Sequence, residues 1–207
     1  MASMRQLQRW VVALTMARFA HGESLLLLQN GFTKPGCKGS AIPVTLGNLK
    51  VCGAVSAGFS AVFSANASDV HVDVYNASTC GGHIYETRDV GIGECVAGAL
   101  EYSLVHAAPA GACVLWGFGT AGCAAGTALS GNVARKNAKC QPAQRIVDQT
   151  SAIDAGGGRF NISVAQYDPQ ADECDVMSRL DLLTPGACVA MAPGTWYSAY
   201  VQLECGS

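Results

Sequence analysis

Apolar positions along this chain recur with a period of two. The clearest stretch is Val70-His71-Val72-Asp73-Val74. Such alternation puts Val70, Val72 and Val74 on the buried face of a strand and His71 and Asp73 on the other. Three more runs read as strands: Leu25–Gln29, Val114–Phe118 and Ile162–Tyr167. Gly, Ser, Asn and Pro break the chain between short β-branched runs throughout, which is the pattern of an all-β sandwich. Beyond the N-terminal region no convincing amphipathic helix is found. The polar, basic stretch Val133–Ile146 is where a short one would be expected.

Residues 1–22 read as a signal peptide. Arg5 and Arg9 form a basic start, Trp10–Ala20 is mostly apolar, and the small residues Ala20 and Gly22 allow cleavage before Glu23. The run is too short to span a bilayer. Arg18 interrupts it and leaves the cleavage position open, and an amphipathic helix or transit peptide is the competing reading. No later stretch is long and apolar enough for a transmembrane helix, and the C-terminal residues lack the hydrophobic tail of a GPI signal.

Four evenly spaced cysteine pairs divide the remainder: Cys37/Cys52, Cys80/Cys95, Cys123/Cys140 and Cys174/Cys188. Their first members step by 43, 43 and 51 residues. A fixed period of this length marks a repeated structural unit. An aromatic residue follows each strand-like run and precedes the cysteine turn: Phe32, Tyr75, Phe118 and Tyr167. Phe59-Ser60, Tyr102-Ser103 and Tyr197-Ser198 close three of the units. Recurrence of these serines at matching positions favours a structural role for their hydroxyls.

Ten cysteines, an even count without zinc-type spacing, indicate disulfides and an extracellular location. The expected bridges are Cys37–Cys52, Cys80–Cys95, Cys123–Cys140 and Cys174–Cys188 within units, with Cys113–Cys205 joining the edges of the second half. Sequence alone does not fix connectivity. Asn66, Asn76 and Asn161 each begin an N-glycosylation sequon. Without residues 1–22 the chain carries 10 basic and 15 acidic residues. That acidic balance disfavours nucleic acid and anionic membrane as partners.

Four units taken in pairs predict two similar β-sandwich domains, 23–107 and 111–207, joined by the Ala107–Gly111 linker. A strand, an aromatic, a turn and a glycine once per unit, as in Val72-Asp73-Val74-Tyr75-Asn76-Ala77-Ser78-Thr79-Cys80-Gly81-Gly82, resembles the Greek-key motif of βγ-crystallin-like proteins. The resemblance covers residues 24–205 in outline. It implies disulfide-stapled Greek-key domains and, among small secreted fungal proteins of this look, killer-toxin-like or effector-like activity. The family's calcium signature is absent, since Asp148-Gln149-Thr150-Ser151 departs from it, and no calcium site is carried over.

Candidate chemistry is sparse. Gly117-Phe118-Gly119-Thr120-Ala121-Gly122 spells a dinucleotide fingerprint, but Cys123 follows it and no βαβ unit surrounds it. Gly156-Gly157-Gly158 lacks the Lys-Ser/Thr of a phosphate loop and reads as a connection between strands. No metal motif, G-x-S-x-G or other catalytic constellation is present, and no cofactor is expected. A strand over Gly82–Thr87 pairing with Val70–Tyr75 would set Asp73 opposite His83 and His71 opposite Tyr85. That patch could bind a metal weakly or respond to pH, and is otherwise the wet face of a hairpin. Trp196, Tyr197 and Tyr200 offer a stacking surface for sugar or protein, with Trp116 and one of this group as core fillers in the plainer reading.

The sequence therefore predicts a secreted, non-enzymatic protein of effector or toxin-like character that binds an extracellular protein or glycan. A lectin-like carbohydrate-binding module and a secreted hydrolase are the alternatives. The first requires an exposed aromatic platform, the second a cleft in which His71 or His83 meets acidic residues.

Overall fold

The computed structural model describes residues 25–56, 58–118, 121–124, 128, 130–142, 148–168, 170–191 and 199–206. The protein is all-β. In chain order the strands are β1 Leu26–Lys34, β2 Lys38–Asn48, β3 Cys52–Ser56, β4 Phe59–Ala65, β5 Asp69–Tyr75, β6 Ile84–Gly91 and β7 Leu100–Val105. They continue with β8 Ala112–Phe118, β9 Ser130–Lys136, β10 Asp148–Gly156, β11 Arg159–Asp168, β12 Glu173–Leu183, β13 Cys188–Ala190 and β14 Tyr200–Cys205. The four strand-like runs of the sequence fall in β1, β5, β8 and β11. The signal-peptide region lies outside the described residues. Of the stretch Val133–Ile146, where a helix was expected, residues 133–136 belong to β9, with Val133 and Ala134 buried and Asn132 and Arg135 less so in a strand paired on both sides, and residues 143–146 lie outside the described residues. Among the described residues no helix is long and apolar enough to cross a membrane.

Two sheets form. The small one runs β3-β4-β5-β6, all antiparallel. The large one forks at β9. On one side β9 pairs with β8, which continues to β14 and β13. On the other, residues 130–132 pair with β2 and residues 134–136 run parallel to β10. From there one branch is β2-β1-β7 and the other β10-β11-β12. The large sheet thus draws strands from both sides of residues 107–111, so that stretch is not a boundary between sheets.

β8 is buried along its whole length. Its alternate residues serve two cores, which is why it reads as a continuous apolar run. Ala112, Val114, Trp116 and Phe118 pack with Leu26, Leu28, Leu46 and Val133. Cys113 and Leu115 pack with Ala152, Ile162, Leu183, Val201 and Leu203. Gly131 lets the β8 side chains in: a Cβ there would lie 2.4 Å from Val114 Cγ1 and 2.9 Å from Trp116 Cε3.

The pairing pattern repeats. β1 lies between β2 and β7 as β8 lies between β9 and β14, and β4-β5-β6 form a meander as β10-β11-β12 do. The cysteines follow the same plan. Within each half the first pairs with the fourth and the second with the third: Cys37–Cys95 and Cys52–Cys80, then Cys123–Cys188 and Cys140–Cys174. The four expected within-unit bridges are therefore replaced by nested ones. The physical reason is strand length. Each expected pair is separated by most of a strand: β2, β6, β9 or β12. At roughly 3.3 Å per residue, the eleven residues of β2 hold Cys37 and Cys52 far beyond the ~7 Å Cα limit of a disulfide. Cys113–Cys205 is present as expected, joining directly opposed residues of β8 and β14.

Candidate functional site

The small sheet turns one face toward β7 and the β6–β7 connection. Ala61, Phe63, Val72 and Val74 share that face with Glu86, Arg88 and Val90, as the cross-strand register requires. A bulge between Val74 and Tyr75 shifts the end of β6, and the Tyr85 ring meets Phe59 edge-on at a centroid distance of 5.5 Å. With Val96 and Tyr102 these residues line an open groove of about 720 Å³. That volume falls within the usual range of ligand sites. Its wall is mostly apolar, and Tyr85, 65% exposed, stands at its rim.

The groove's far wall is pinned. Gly93 N–H donates to the Tyr102 carbonyl, Phe32 N–H to that of Ala99, and Gly36 N–H to that of Gly98. Cys95 is bonded to Cys37 in the β1–β2 turn. Gln29 Nε2 donates to the Tyr102 hydroxyl oxygen at 3.1 Å. Burial raises the Tyr102 pKa, so the phenol stays protonated and able to donate. Arg88 forks onto Glu86, with Nε–Oε1 2.5 Å and Nη2–Oε2 2.8 Å. This contact lowers the Glu86 pKa and raises that of Arg88.

The corresponding space in the second half is closed. There β8, β10, β11, β12 and β14 bring Leu115, Ala152, Ile162, Leu183 and Leu203 together, all buried. The first half instead has Gln29 and Tyr102 on β1 and β7 and Glu86 and Arg88 on β6. Polar groups and an opening stand where the other half has a dry core.

The opposite face of the small sheet carries His71 and Asp73, on the side the alternation predicted. The expected partners differ. β6 pairs so that His71 faces Asp89 and Asp73 faces Thr87. His71 Nδ1 lies 2.7 Å from Asp89 Oδ1 and its Nε2 3.3 Å from Asp73 Oδ1. Thr87 Oγ1 donates to Asp73 Oδ1 at 2.8 Å. The Asp89 hydrogen bond, aided by Asp73, raises the His71 pKa. His83 precedes β6, exposed, and its carbonyl accepts from Asn76 N–H. Among the described residues no group of three His, Cys, Asp or Glu could hold a metal ion.

Of the aromatic platform, Trp196 and Tyr197 lie outside the described residues. Tyr200 is half-buried and packs against the first core. Trp116 fills that core, with its indole N–H donating to Glu204 at 2.7 Å. Gly117 and Phe118 of the glycine fingerprint end β8, and Gly156-Gly157-Gly158, all with positive φ, form the β10–β11 turn. Asn66 and Asn76 are exposed in turns. Asn161 sits half-buried inside β11, where its Oδ1 accepts from Leu182 N–H.

Sequence reading missed the groove because its walls are the consecutive strands β4 to β7, and whether they close on one another is a matter of packing that no single strand's pattern records. The available signal was a polar Gln29 and Tyr102 on strands whose counterparts carry leucine. No protein-family model, curated protein or solved structure matches this chain.

Proposed function

We propose that this chain is a secreted, non-enzymatic binding protein of effector or toxin-like kind. In this reading it recognises an extracellular target through the groove between its two sheets. The observation that carries the reading is the open, aromatic-rimmed groove of the first half beside the filled core of the second. Leaving apolar surface in water forfeits roughly 25 cal/mol per Å², so an open groove held by a disulfide and a tethered loop suits a ligand better than it suits stability. Five disulfides accord with a protein made for an oxidising compartment. The repeated pairing pattern accords with two related Greek-key units that share a sheet.

Binding fits the groove better than hydrolysis does. Its two carboxylates, Glu86 and Asp89, are engaged by Arg88 and His71. One observation favours the lectin-like alternative: Tyr85 offers an exposed ring on which a sugar can stack.

The test uses fluorescently labelled secreted protein and its Phe63→Ala/Tyr85→Ala variant on a panel of eukaryotic cells and a glycan array. Saturable binding that falls at least about tenfold in a folded variant is expected. Binding that is indifferent to both substitutions overturns the groove reading. Glycan-array signal without protein-dependent cell binding selects the lectin.

A further inference from the structure

Among the described residues, β6 is the outer strand of the small sheet and pairs only with β5. Along an edge strand, alternate backbone N–H and C=O groups face outward with no strand to receive them. Proteins blunt such edges with Pro, bulges or charged side chains; β6 carries Glu86, Arg88 and Asp89 but no Pro, and its charges are engaged by one another and by His71. The groove runs beside this edge, and Glu86, Arg88, Asp89 and Val90 of β6 line it.

The two faces flanking the edge differ in chemistry. The groove side is mostly apolar, with Phe63, Val72, Val74, Tyr85 and Val90, and carries the mutually neutralised Glu86–Arg88 pair on β6 itself. The other side is acidic: Asp69, Asp73 and Asp89 against a single imidazole, His71. The Asp89 side chain is 69% exposed. A strand laid along β6 would point successive residues alternately to the apolar and the acidic side.

We infer that β6 accepts an extended peptide as a fifth strand of the small sheet, a segment in which apolar residues alternate with Lys or Arg. This rests on the groove reading and specifies its target. The peptide's backbone completes the hydrogen bonds of β6. Its apolar side chains enter the groove, and its basic side chains meet Asp89 and Asp73. The acidic balance of the chain outside residues 1–22 suits such a partner.

The test is fluorescence anisotropy of the oxidised protein with labelled nonapeptides, a length that spans the eight residues of β6. The first alternates Lys with Val. The second has Glu for Lys. Two more carry N-methyl groups on either the Lys or the Val residues. The Lys/Val peptide is expected to bind, the Glu/Val peptide at least about tenfold more weakly, and at least one N-methylated peptide to lose a similar factor. Asp89→Lys, at an exposed position, is expected to lose about tenfold for the Lys/Val peptide alone. No binding of that peptide at about 1 mM, equal binding of the Glu/Val peptide, or indifference to both N-methylation patterns overturns strand addition. Phe63→Ala and Tyr85→Ala separate the two readings. Binding that needs these rings but ignores N-methylation overturns strand addition and keeps the groove. Binding that ignores both rings overturns the groove.

Discussion

At the scale of single residues, two positions illustrate how environment decides behaviour. His71 is held by Asp89 and Asp73, and its pKa is raised above 6.5. A raised folded-state value means that His71 contributes stability fully below pH 6.5 and loses it as pH rises through the folded value. The site is exposed, so the effect on stability is small. NMR titration of the ring is expected to show the raised value, and Asp89→Asn is expected to lower it; an unchanged midpoint would remove the pairing. The second residue is Gly131, whose missing Cβ makes room for Val114 and Trp116. Overpacking of this kind costs about 1–3 kcal/mol. Gly131→Ala is expected to destabilise by that amount in chemical denaturation, and a neutral variant would show that β8 can shift.

The sequons separate at this scale too. Asn66 and Asn76 are exposed in turns, whereas Asn161 is committed inside a strand. Mass spectrometry of protein from a eukaryotic secretory host is expected to find glycan on the first two and none on Asn161. Occupancy of Asn161 would mean that glycosylation precedes formation of β11.

At the scale of elements, strands were legible and their partners were not. Alternation exposed β5, and a run of unbroken apolar character exposed β8, because each strand's burial is written in its own residues. Pairing is a long-range property. The register of β5 on β6 differs by four residues from expectation: His71 faces Asp89 and Asp73 faces Thr87, and the one-residue bulge near Tyr75 accounts for only one of the four. The cysteine period marked strand ends correctly, but neighbouring cysteines in sequence sit at opposite ends of a strand. Cys37–Cys95 closes a stretch of 58 residues, for which chain entropy suggests about 4 kcal/mol. A Cys37→Ser/Cys95→Ser variant is expected to lose stability of that order and, because Val96 and Tyr102 line the groove beside this bridge, to bind more weakly as well. Denaturation with retained affinity would separate the bridge from the groove.

At the scale of the whole molecule, β1 lies between β2 and β7 as β8 lies between β9 and β14, and the interiors beside them differ. In the second half leucines and isoleucine close the space between the strands. In the first, Gln29 and Tyr102 stand where leucines close the other half, and the space is an open, mostly apolar groove that carries the Glu86–Arg88 pair. The all-β class and the disulfide chemistry were readable from composition and patterning. The groove was not, because it depends on how β4–β6 pack against β7, which no pattern within one strand records. The direct test is to make the first half resemble the second. Glu86→Val/Arg88→Leu removes an exposed ion pair of little energetic worth and adds apolar contact inside the groove. Thermal melting and target binding should be measured together on this variant. The predicted result is equal or higher stability with binding lost. Binding retained at full strength in a folded variant would contradict the groove as the seat of function.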